Sequence, residues 1–349
     1  MKITRLLQLV LALTLLFNIS CSSDDEFENL VPKGAYENGI FITNEGNFGT
    51  PNASVTFVSK DLSIIEQNIF STNNNNAILG DVLQTIAYNG DSAYLVLNNS
   101  NKVQIVNRYT FKKSGEITNQ ITQPRFIAFA NNNIYVTNDQ YGGGKYVSVY
   151  KSSDLSFVKK IDFASTSTAE RVVEASGSIF VQNASYGFGN TLTRINPSTN
   201  EIASVVTLPN GNINKTISNN GSVYVIAAGT TNSYIYQISA AGSIVKTTTL
   251  TGIANATNLE IDGGKYYFST DNKVYAMDMN ATTIPANPLF TVASNSYSTL
   301  YGFSVVDGKI FTSDANGFTQ DSKITVYSTT GAIIKNFTAG KSSNGFYLN

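Results

Sequence analysis

A pair of adjacent hydrophobic residues, preceded by a short polar turn, recurs along the whole chain. The pairs are Ile40-Phe41, Ala93-Tyr94, Ile134-Tyr135, Ile179-Phe180, Val223-Tyr224, Tyr266-Tyr267 and Ile310-Phe311. After a first interval of 53 residues, the later pairs follow at intervals of 41 to 45 residues. A repeat of about 44 residues is typical of β-propeller blades, each of which contains four short strands. The pattern therefore predicts an all-β fold built from repeated blades.

The third copy of the repeat shows the four strands of one predicted blade. Strands A to D are predicted at residues 125–129, 134–138, 146–150 and 157–163. The turns between strands A and B contain Asn-Gly or Asp-Gly in other copies, for example Asn220-Gly221 and Asp307-Gly308. These pairs suit two-residue hairpins, because both central residues of the favoured turn need a positive φ.

The two ends of the repeat array predict how the ring closes. The first copy has no strand A before Ile40, whereas residues 345–349 form a surplus strand A at the other end. If the C-terminal strand completes the first blade, both observations are explained and no open sheet edge remains. We therefore expect a seven-bladed β-propeller over residues 36–349, with the C-terminal strand completing the first blade.

The N-terminal residues predict export and a lipid anchor. Lys2 and Arg5 precede the apolar stretch Leu6–Ile19, which is too short to span a bilayer and is typical of a signal peptide, predicted at residues 1–20. The small residue before Cys21 resembles a lipobox, so we expect Cys21 to become the acylated N-terminus. The alternative is cleavage by signal peptidase I, which would leave a free thiol. A single cysteine in an exported chain cannot form an internal disulfide, which favours lipidation.

Residues 21–35 are predicted to form a flexible acidic tether. Its segment Ser22–Glu26 resembles the acidic tag that directs lipoproteins of Bacteroidota to the outer leaflet. The expected location is therefore the outer membrane, facing the medium, with the lipid as the only membrane attachment.

The composition excludes several classes of activity. Charged residues make up 13% of the chain, against about 25% in average globular proteins. The 23 basic and 24 acidic residues nearly cancel and form no basic stripe, so nucleic acid is not an expected partner. The chain has no His, which excludes Ser-His-Asp and Cys-His catalysis and removes the commonest transition-metal ligand. No nucleotide or calcium motif is present, so we expect no cofactor and no metal site.

One face of the predicted ring has the more elaborate loops. The B–C loops and the D–A connections emerge there, and several combine an amide or carboxylate with glycine and an aromatic residue. The candidate ligand-binding residues on this rim are Asn44, Glu45, Asn47, Phe48, Asn98, Asn99, Arg125, Asn138, Asp139, Tyr141, Arg171, Tyr186, Phe188, Tyr301, Asp314 and Phe318. Exposed aromatic residues beside amides suit a large, flat, polar ligand with apolar patches. The alternative is that these loops pack on one another and the aromatic side chains fill the funnel.

Several motifs resemble those of known propeller proteins. Tyr135-Val136-Thr137-Asn138 matches the YVTN signature of a propeller-repeat family of microbial surface proteins. Residues 39–107 resemble the first two blades of YncE-like, BtuG-type surface lipoproteins, which capture cobalamin beside a TonB-dependent vitamin B12 transporter. The matching stretches are Ile42–Gly49, Asn52–Ser54, Leu79–Val82 and Leu97–Val103, and Asn344–Phe346 resembles that family's closing strand.

This resemblance implies a binder without enzymatic activity, which holds cobalamin or another corrinoid on the loop face and passes it to a TonB-dependent outer-membrane transporter. Two alternatives stay open at this point. One is a structural or adhesive surface protein that binds protein or glycan. The other is a carboxylate-based hydrolase or lyase that uses Glu45, Asp139, Asp271 or Asp314.

Overall fold

A computed structural model describes residues 33–294 and 296–349. The predicted signal peptide, Cys21 and most of the predicted tether lie outside the described residues. Within the described part of the chain, no helix is long and apolar enough to cross a membrane.

The seven predicted blades are present as seven separate four-stranded antiparallel sheets. In chain order the strands are β1 (Gly39–Asn44), β2 (Ser54–Ser59), β3 (Ile65–Glu66), β4 (Leu83–Asn89), β5 (Ser92–Leu97), β6 (Lys102–Asn107), β7 (Lys113–Ile117), β8 (Pro124–Ala130), β9 (Asn133–Asp139), β10 (Lys145–Lys151), β11 (Phe157–Asp162), β12 (Val172–Ala175), β13 (Ser178–Ser185), β14 (Phe188–Asn196), β15 (Glu201–Thr207), β16 (Asn212–Asn219), β17 (Ser222–Ala228), β18 (Ser233–Ile238), β19 (Ile244–Leu250), β20 (Thr257–Asp262), β21 (Lys265–Thr270), β22 (Lys273–Asp278), β23 (Phe290–Thr291), β24 (Thr299–Val306), β25 (Lys309–Asp314), β26 (Asp321–Ser328), β27 (Ile333–Lys341) and β28 (Ser343–Leu348). The four strands of the third blade begin and end within one residue of the positions that the repeat predicts.

The closing strand lies where the sequence predicts it. β28 pairs antiparallel with β1, so that Phe346 lies opposite Ile42 and Tyr347 opposite Phe41. The first blade therefore has the order β28-β1-β2-β3, and its innermost strand comes from the C-terminus. The innermost strands of neighbouring blades contact one another in sequence, and β28 contacts both β24 and β4. The ring is closed, and the fold is a seven-bladed β-propeller.

Positive φ angles in the A–B turns explain the glycine and asparagine in the repeat. In five blades both central residues have positive φ, at Asn131-Asn132, Ser176-Gly177, Asn220-Gly221, Gly263-Gly264 and Asp307-Gly308. In the second blade the loop is Gly90-Asp91, and of these two residues only Gly90 has a positive φ. These tight hairpins keep the face opposite the B–C loops plain.

The hydrophobic core lies between the blades. Strands B and C are almost fully buried, because each face of a blade packs against its neighbour; Phe41 and Phe57 of the first blade, for example, share a cluster with Leu95 and Val106 of the second. The innermost strands differ, since they carry polar residues toward the central channel.

Two short helices were not predicted from the repeat. Helix α1 (Ile69–Asn73) lies in the connection after β3 and buries Ile69 and Phe70. A 3-10 turn, Asn316–Phe318, lies in the B–C loop of the seventh blade. Both modify the face on which the B–C loops emerge.

Candidate functional site

The loop face contains a cavity of about 570 Å³ over the first four blades. Its lining brings together six of the residues predicted for the rim, namely Phe48, Asn98, Arg125, Asp139, Tyr141 and Tyr186. These residues come from the B–C loops and the adjoining strand ends of different blades. The ring geometry therefore places side chains that are far apart in the sequence around one opening.

Three aromatic side chains stand at the edge of this cavity and are mostly exposed. The exposed fractions are 77% for Phe48, 95% for Tyr141 and 88% for Tyr186. Phe188 is also exposed but does not line the cavity. Aromatic residues of this size are normally buried, so three of them around one opening form an apolar rim that is available for contact.

The floor of the cavity is polar and its charges are paired. Arg125 donates from Nε and Nη2 to the two carboxylate oxygens of Glu170, both at 2.8 Å. Burial lowers the pKa of Arg125, but the pair with Glu170 more than offsets this, so the pKa is raised overall and the guanidinium stays charged. Lys145 forms an ion pair with Asp139, whose other oxygen accepts from the backbone N–H of Ala169 at 3.0 Å. The two ion pairs cancel each other's charges, so the floor of the cavity can offer polar groups to a ligand without carrying a net charge.

The asparagines at the ends of the B strands lie beneath the rim. Asn44 and Asn138 are fully buried. The Asn44 Oδ1 accepts from the Gly340 N–H at 3.1 Å, and the Asn138 Oδ1 accepts from the Thr122 N–H at 2.9 Å. Asn98 follows the same pattern, since its Nδ2 donates to the carbonyl of Pro124 at 3.1 Å. At these positions the amide joins the end of strand B to a neighbouring connection and shapes the rim from below.

The stretches that resemble the cobalamin-capturing lipoproteins meet in a single hydrogen-bonded unit. The Asp81 carboxylate accepts from the Gly49 N–H at 3.0 Å and from the Asn99 Nδ2 at 2.5 Å, while the Asp81 N–H donates to the Ser100 Oγ at 2.8 Å. The Val82 N–H donates to the carbonyl of Glu45 at 3.1 Å. The contacts of Gly49 with Asp81 and of Glu45 with Val82 fix the B–C loop of the first blade, which carries Phe48, against the start of the second blade.

Glu45 points to the closing strand at the mouth of the channel. Its carboxylate accepts from the Tyr301 hydroxyl and from the Asn344 Nδ2, both at 2.7 Å. Burial raises the pKa of Glu45, although the two hydrogen bonds and the nearby Arg125 act against the rise. Burial and the adjacent Glu45 carboxylate also raise the pKa of Tyr301. Glu45 thus joins the first blade to the seventh.

The remaining predicted residues lie at the first and seventh blades. The Asn47 Nδ2 donates to the carbonyl of Phe318 at 3.0 Å, and the Phe318 ring packs edge-on against Tyr301 with centroids 4.8 Å apart. Asp314 accepts from the Ser298 hydroxyl at 2.7 Å and lines a separate cavity of about 670 Å³ together with Tyr297. These residues form a second part of the rim.

A smaller cavity of about 310 Å³ adjoins the first and leads to the central channel. It shares Arg125, Glu170 and Tyr186 with the larger cavity and adds Arg171 and Lys215. The Lys215 Nζ donates to the Glu260 Oε1 at 2.6 Å.

The sequence reasoning predicted Arg125 and Arg171 here but missed Glu170, Lys215 and Glu260. A usable signal was present: Arg125 and Glu170 are 45 residues apart, and so are Lys215 and Glu260. Opposite charges separated by one repeat fall on, or just before, the innermost strands of adjacent blades.

In the part of the chain that the structure describes, no three His, Cys, Asp or Glu side chains are grouped so that they could hold a metal ion.

Comparisons with known proteins identify the family and the fold. The model of a family described as a domain of unknown function (DUF5074) matches residues 38–347. No curated protein matches the chain at a significant level.

Solved structures with the same architecture share little sequence with this chain. A quinonprotein alcohol dehydrogenase-like protein of Bacteroides thetaiotaomicron is 13% identical with a TM-score of 0.66, over 90% of this chain and 78% of that one. A protein from Lactobacillus plantarum is 11% identical with a TM-score of 0.64, over 89% and 99% of the two chains. Hydrazine synthase of Kuenenia stuttgartiensis is 15% identical with a TM-score of 0.59, over 75% and 88%.

At these identities the likeness concerns the fold alone, whereas the family model covers most of the chain. The chain therefore belongs to the DUF5074 family, and its fold is a seven-bladed β-propeller.

Proposed function

We propose that this protein is a cell-surface lipoprotein that binds a large polar nutrient, most specifically cobalamin or another corrinoid, and passes it to a TonB-dependent outer-membrane transporter. The observation that carries the proposal is the cavity of about 570 Å³ with Phe48, Tyr141 and Tyr186 exposed at its edge. Its volume lies within the range of about 300–1,000 Å³ that is usual for small-molecule sites.

The chemistry of the cavity suits a flat ligand with apolar patches and many amide groups. The three rings can cover an apolar surface, while the paired charges on the floor and the amide of Gln123 offer hydrogen bonds without selecting a highly charged molecule. A concave opening of this kind favours a small molecule over the flat surface of about 800 Å² that a stable protein partner buries on each side.

The state of the carboxylates favours binding over hydrolysis. Glu170 is held by Arg125, Asp139 by Lys145, and Glu45 by Tyr301 and Asn344. Each carboxylate at this site is therefore already engaged in an internal contact.

The proposed location and transporter depend on the sequence alone. The signal peptide, the lipobox at Cys21 and the acidic tag support attachment to the outer membrane. The resemblance over residues 39–107 supports the transporter, and the residues that carry it form the hydrogen-bonded unit that positions Phe48.

Titration with cyanocobalamin tests the proposed ligand. We expect saturable binding with a Kd in the micromolar range or below, followed by visible absorbance and by calorimetry. The Tyr141→Ala and Tyr186→Ala variants should each bind about tenfold more weakly, because each removes a contact ring from the rim.

The matched control is Tyr297→Ala, which removes an exposed tyrosine that lines the separate cavity of the seventh blade. It should bind as the unmodified protein does. Lack of binding at about 100 μM cyanocobalamin, a level that detects interactions of about −5 kcal/mol or better, would exclude this ligand. Equal loss in all three variants would place the site elsewhere on the face.

A further inference from the structure

Three basic side chains line the cavity of about 310 Å³ at the mouth of the channel, and two of them are paired. Arg125 is held by both oxygens of Glu170, and Lys215 by Glu260. Arg171 is different. Among residues 33–294 and 296–349, Arg171 forms no ion pair within 4.0 Å and donates no hydrogen bond.

The surroundings of Arg171 hold its guanidinium in place without satisfying it. The Phe126 ring lies against the guanidinium, with 4.3 Å between its carbon and the ring centroid. Such a contact attracts a cation but accepts none of its five N–H donors. Arg171 itself lines the cavity, and the uncharged polar side chains of the lining include Gln182, Asn214 and Asn258.

Of the three cations that line this cavity, Arg171 is the one without an ion-pair partner among the described residues. Burial lowers the pKa of Arg171, and the nearby Glu170 and Glu260 act in the opposite direction, although both are already paired with other cations. A guanidinium remains protonated at neutral pH despite such a shift. Arg171 is half-buried and has no ion-pair partner, so an anion that enters the cavity gains both the attraction and up to two parallel hydrogen bonds.

We infer that this cavity binds an anionic group, a phosphate or a carboxylate carried by the ligand, with Arg171 as its direct contact. The inference deepens the proposed function, because it assigns the chemistry of the ligand group that reaches into the channel. It depends on the same face of the propeller but does not depend on the ligand being a corrinoid.

Calorimetric titration of the protein with inorganic phosphate and, separately, with acetate tests the inference. We expect weak but saturable binding of at least one of the two anions, and the stronger one identifies the group as phosphate or carboxylate. Arg171→Gln should weaken that binding about tenfold or more, because charged hydrogen bonds to the anion are lost. Arg171→Lys keeps the charge but not the planar fork and should show an intermediate loss.

Arg194→Gln is the matched control, since it makes the same exchange at an arginine that bonds to Ser178 and to the carbonyl of Ala240 outside this cavity. It should leave anion binding unchanged. In the absence of anions, Arg171→Gln should melt at the same temperature as the unmodified protein or above it, because a half-buried charge without an ion-pair partner is removed. A large drop in melting temperature, or a failure to fold, would make Arg171 a structural residue and overturn the inference.

The outcomes separate this inference from the proposed function. If phosphate or acetate binds through Arg171 while cyanocobalamin does not bind, the corrinoid proposal fails and the anion site stands. If cyanocobalamin binds while neither anion binds, or while the anions bind Arg171→Gln as well as they bind the unmodified protein, the anion site fails and the proposed function stands.

Discussion

At the scale of single residues, the rim separates into side chains that support the surface and side chains that are free to contact a ligand. Asn44 and Asn138 have the residue type and spacing of binding amides, yet both are buried and bonded to backbone groups. Phe48 and Tyr141 are exposed beside the cavity. The sequence pattern could not make this distinction, because an amide at the end of a strand is equally suited to capping a turn and to holding a ligand.

The raised pKa of Glu45 should make the stability of the protein depend on pH. Burial raises its pKa above the usual value of about 4.3, so the folded protein holds the proton more tightly than the unfolded chain does. The carboxyl group therefore contributes most stability below its unfolded pKa, and this contribution is lost as the pH rises through the folded pKa. Glutamine does not titrate. We expect the unfolding free energy of the unmodified protein, relative to that of Glu45→Gln, to fall as the pH is raised from 4 toward neutrality.

Urea denaturation of the two proteins at a series of pH values measures this difference. Tyr301→Phe serves as a second variant, because it removes a hydrogen bond that lowers the Glu45 pKa and should move the fall to higher pH. A difference that stays constant over the whole pH range would contradict the assignment of a raised pKa to Glu45.

At the scale of secondary-structure elements, the closing strand shows what the sequence could predict and why. The absence of strand A before Ile40 and its surplus after Gly345 are visible without any structure, because blades have a fixed number of strands. The ion pairs of the channel were not predicted, since Arg125 and Glu170 meet only when two successive blades are placed side by side. Helix α1 was missed as well, because its apolar residues Ile69 and Phe70 lie in a connection that follows no repeat.

Phe346 and Leu348 give a matched pair of substitutions within the closing strand. Phe346 is buried and packs against Phe311 with ring centroids 5.2 Å apart, whereas Leu348 is 39% exposed. Phe346→Ala should lower the unfolding free energy by about 3–5 kcal/mol, because it leaves a cavity between the first and seventh blades. Leu348→Ala should cost less than about 1 kcal/mol. Chemical denaturation measures both, and equal costs would mean that the strand is not seated as described.

At the scale of the whole molecule, the closed ring should allow the chain ends to be moved from the first blade to another blade. The Asn349 N–H donates to the carbonyl of Gly39 at 2.8 Å, so the last residue and the first strand are adjacent. The hairpin at Gly90 faces open space, with no atom within 4 Å of an added Cβ. A circular permutant that joins residue 349 to residue 36 by a short linker and opens at Gly90-Asp91 would make the second blade the closing one.

We expect this permutant to be a folded monomer, because every strand keeps its partners. Deletion of residues 343–349 should instead yield oligomers, because it exposes the inner edge of β1, whose unpaired backbone groups can pair with another chain. Size-exclusion chromatography with light scattering distinguishes these results. A monomeric and fully stable deletion variant would show that closure of the ring contributes little.

The pairing of β1 with β28 also affects when the fold can be completed. The hydroxyl of Thr43 donates to the side chain of Asn344, which lies 301 positions later in the chain. Synthesis begins at the N-terminus, so the first blade waits with an open edge until the last residues have been made. Contacts of such long sequence separation form slowly. The edge of β1 therefore stays open until β28 pairs with it, and in the exported protein that we propose a chaperone that protects this edge would have to remain bound until the chain has been transported.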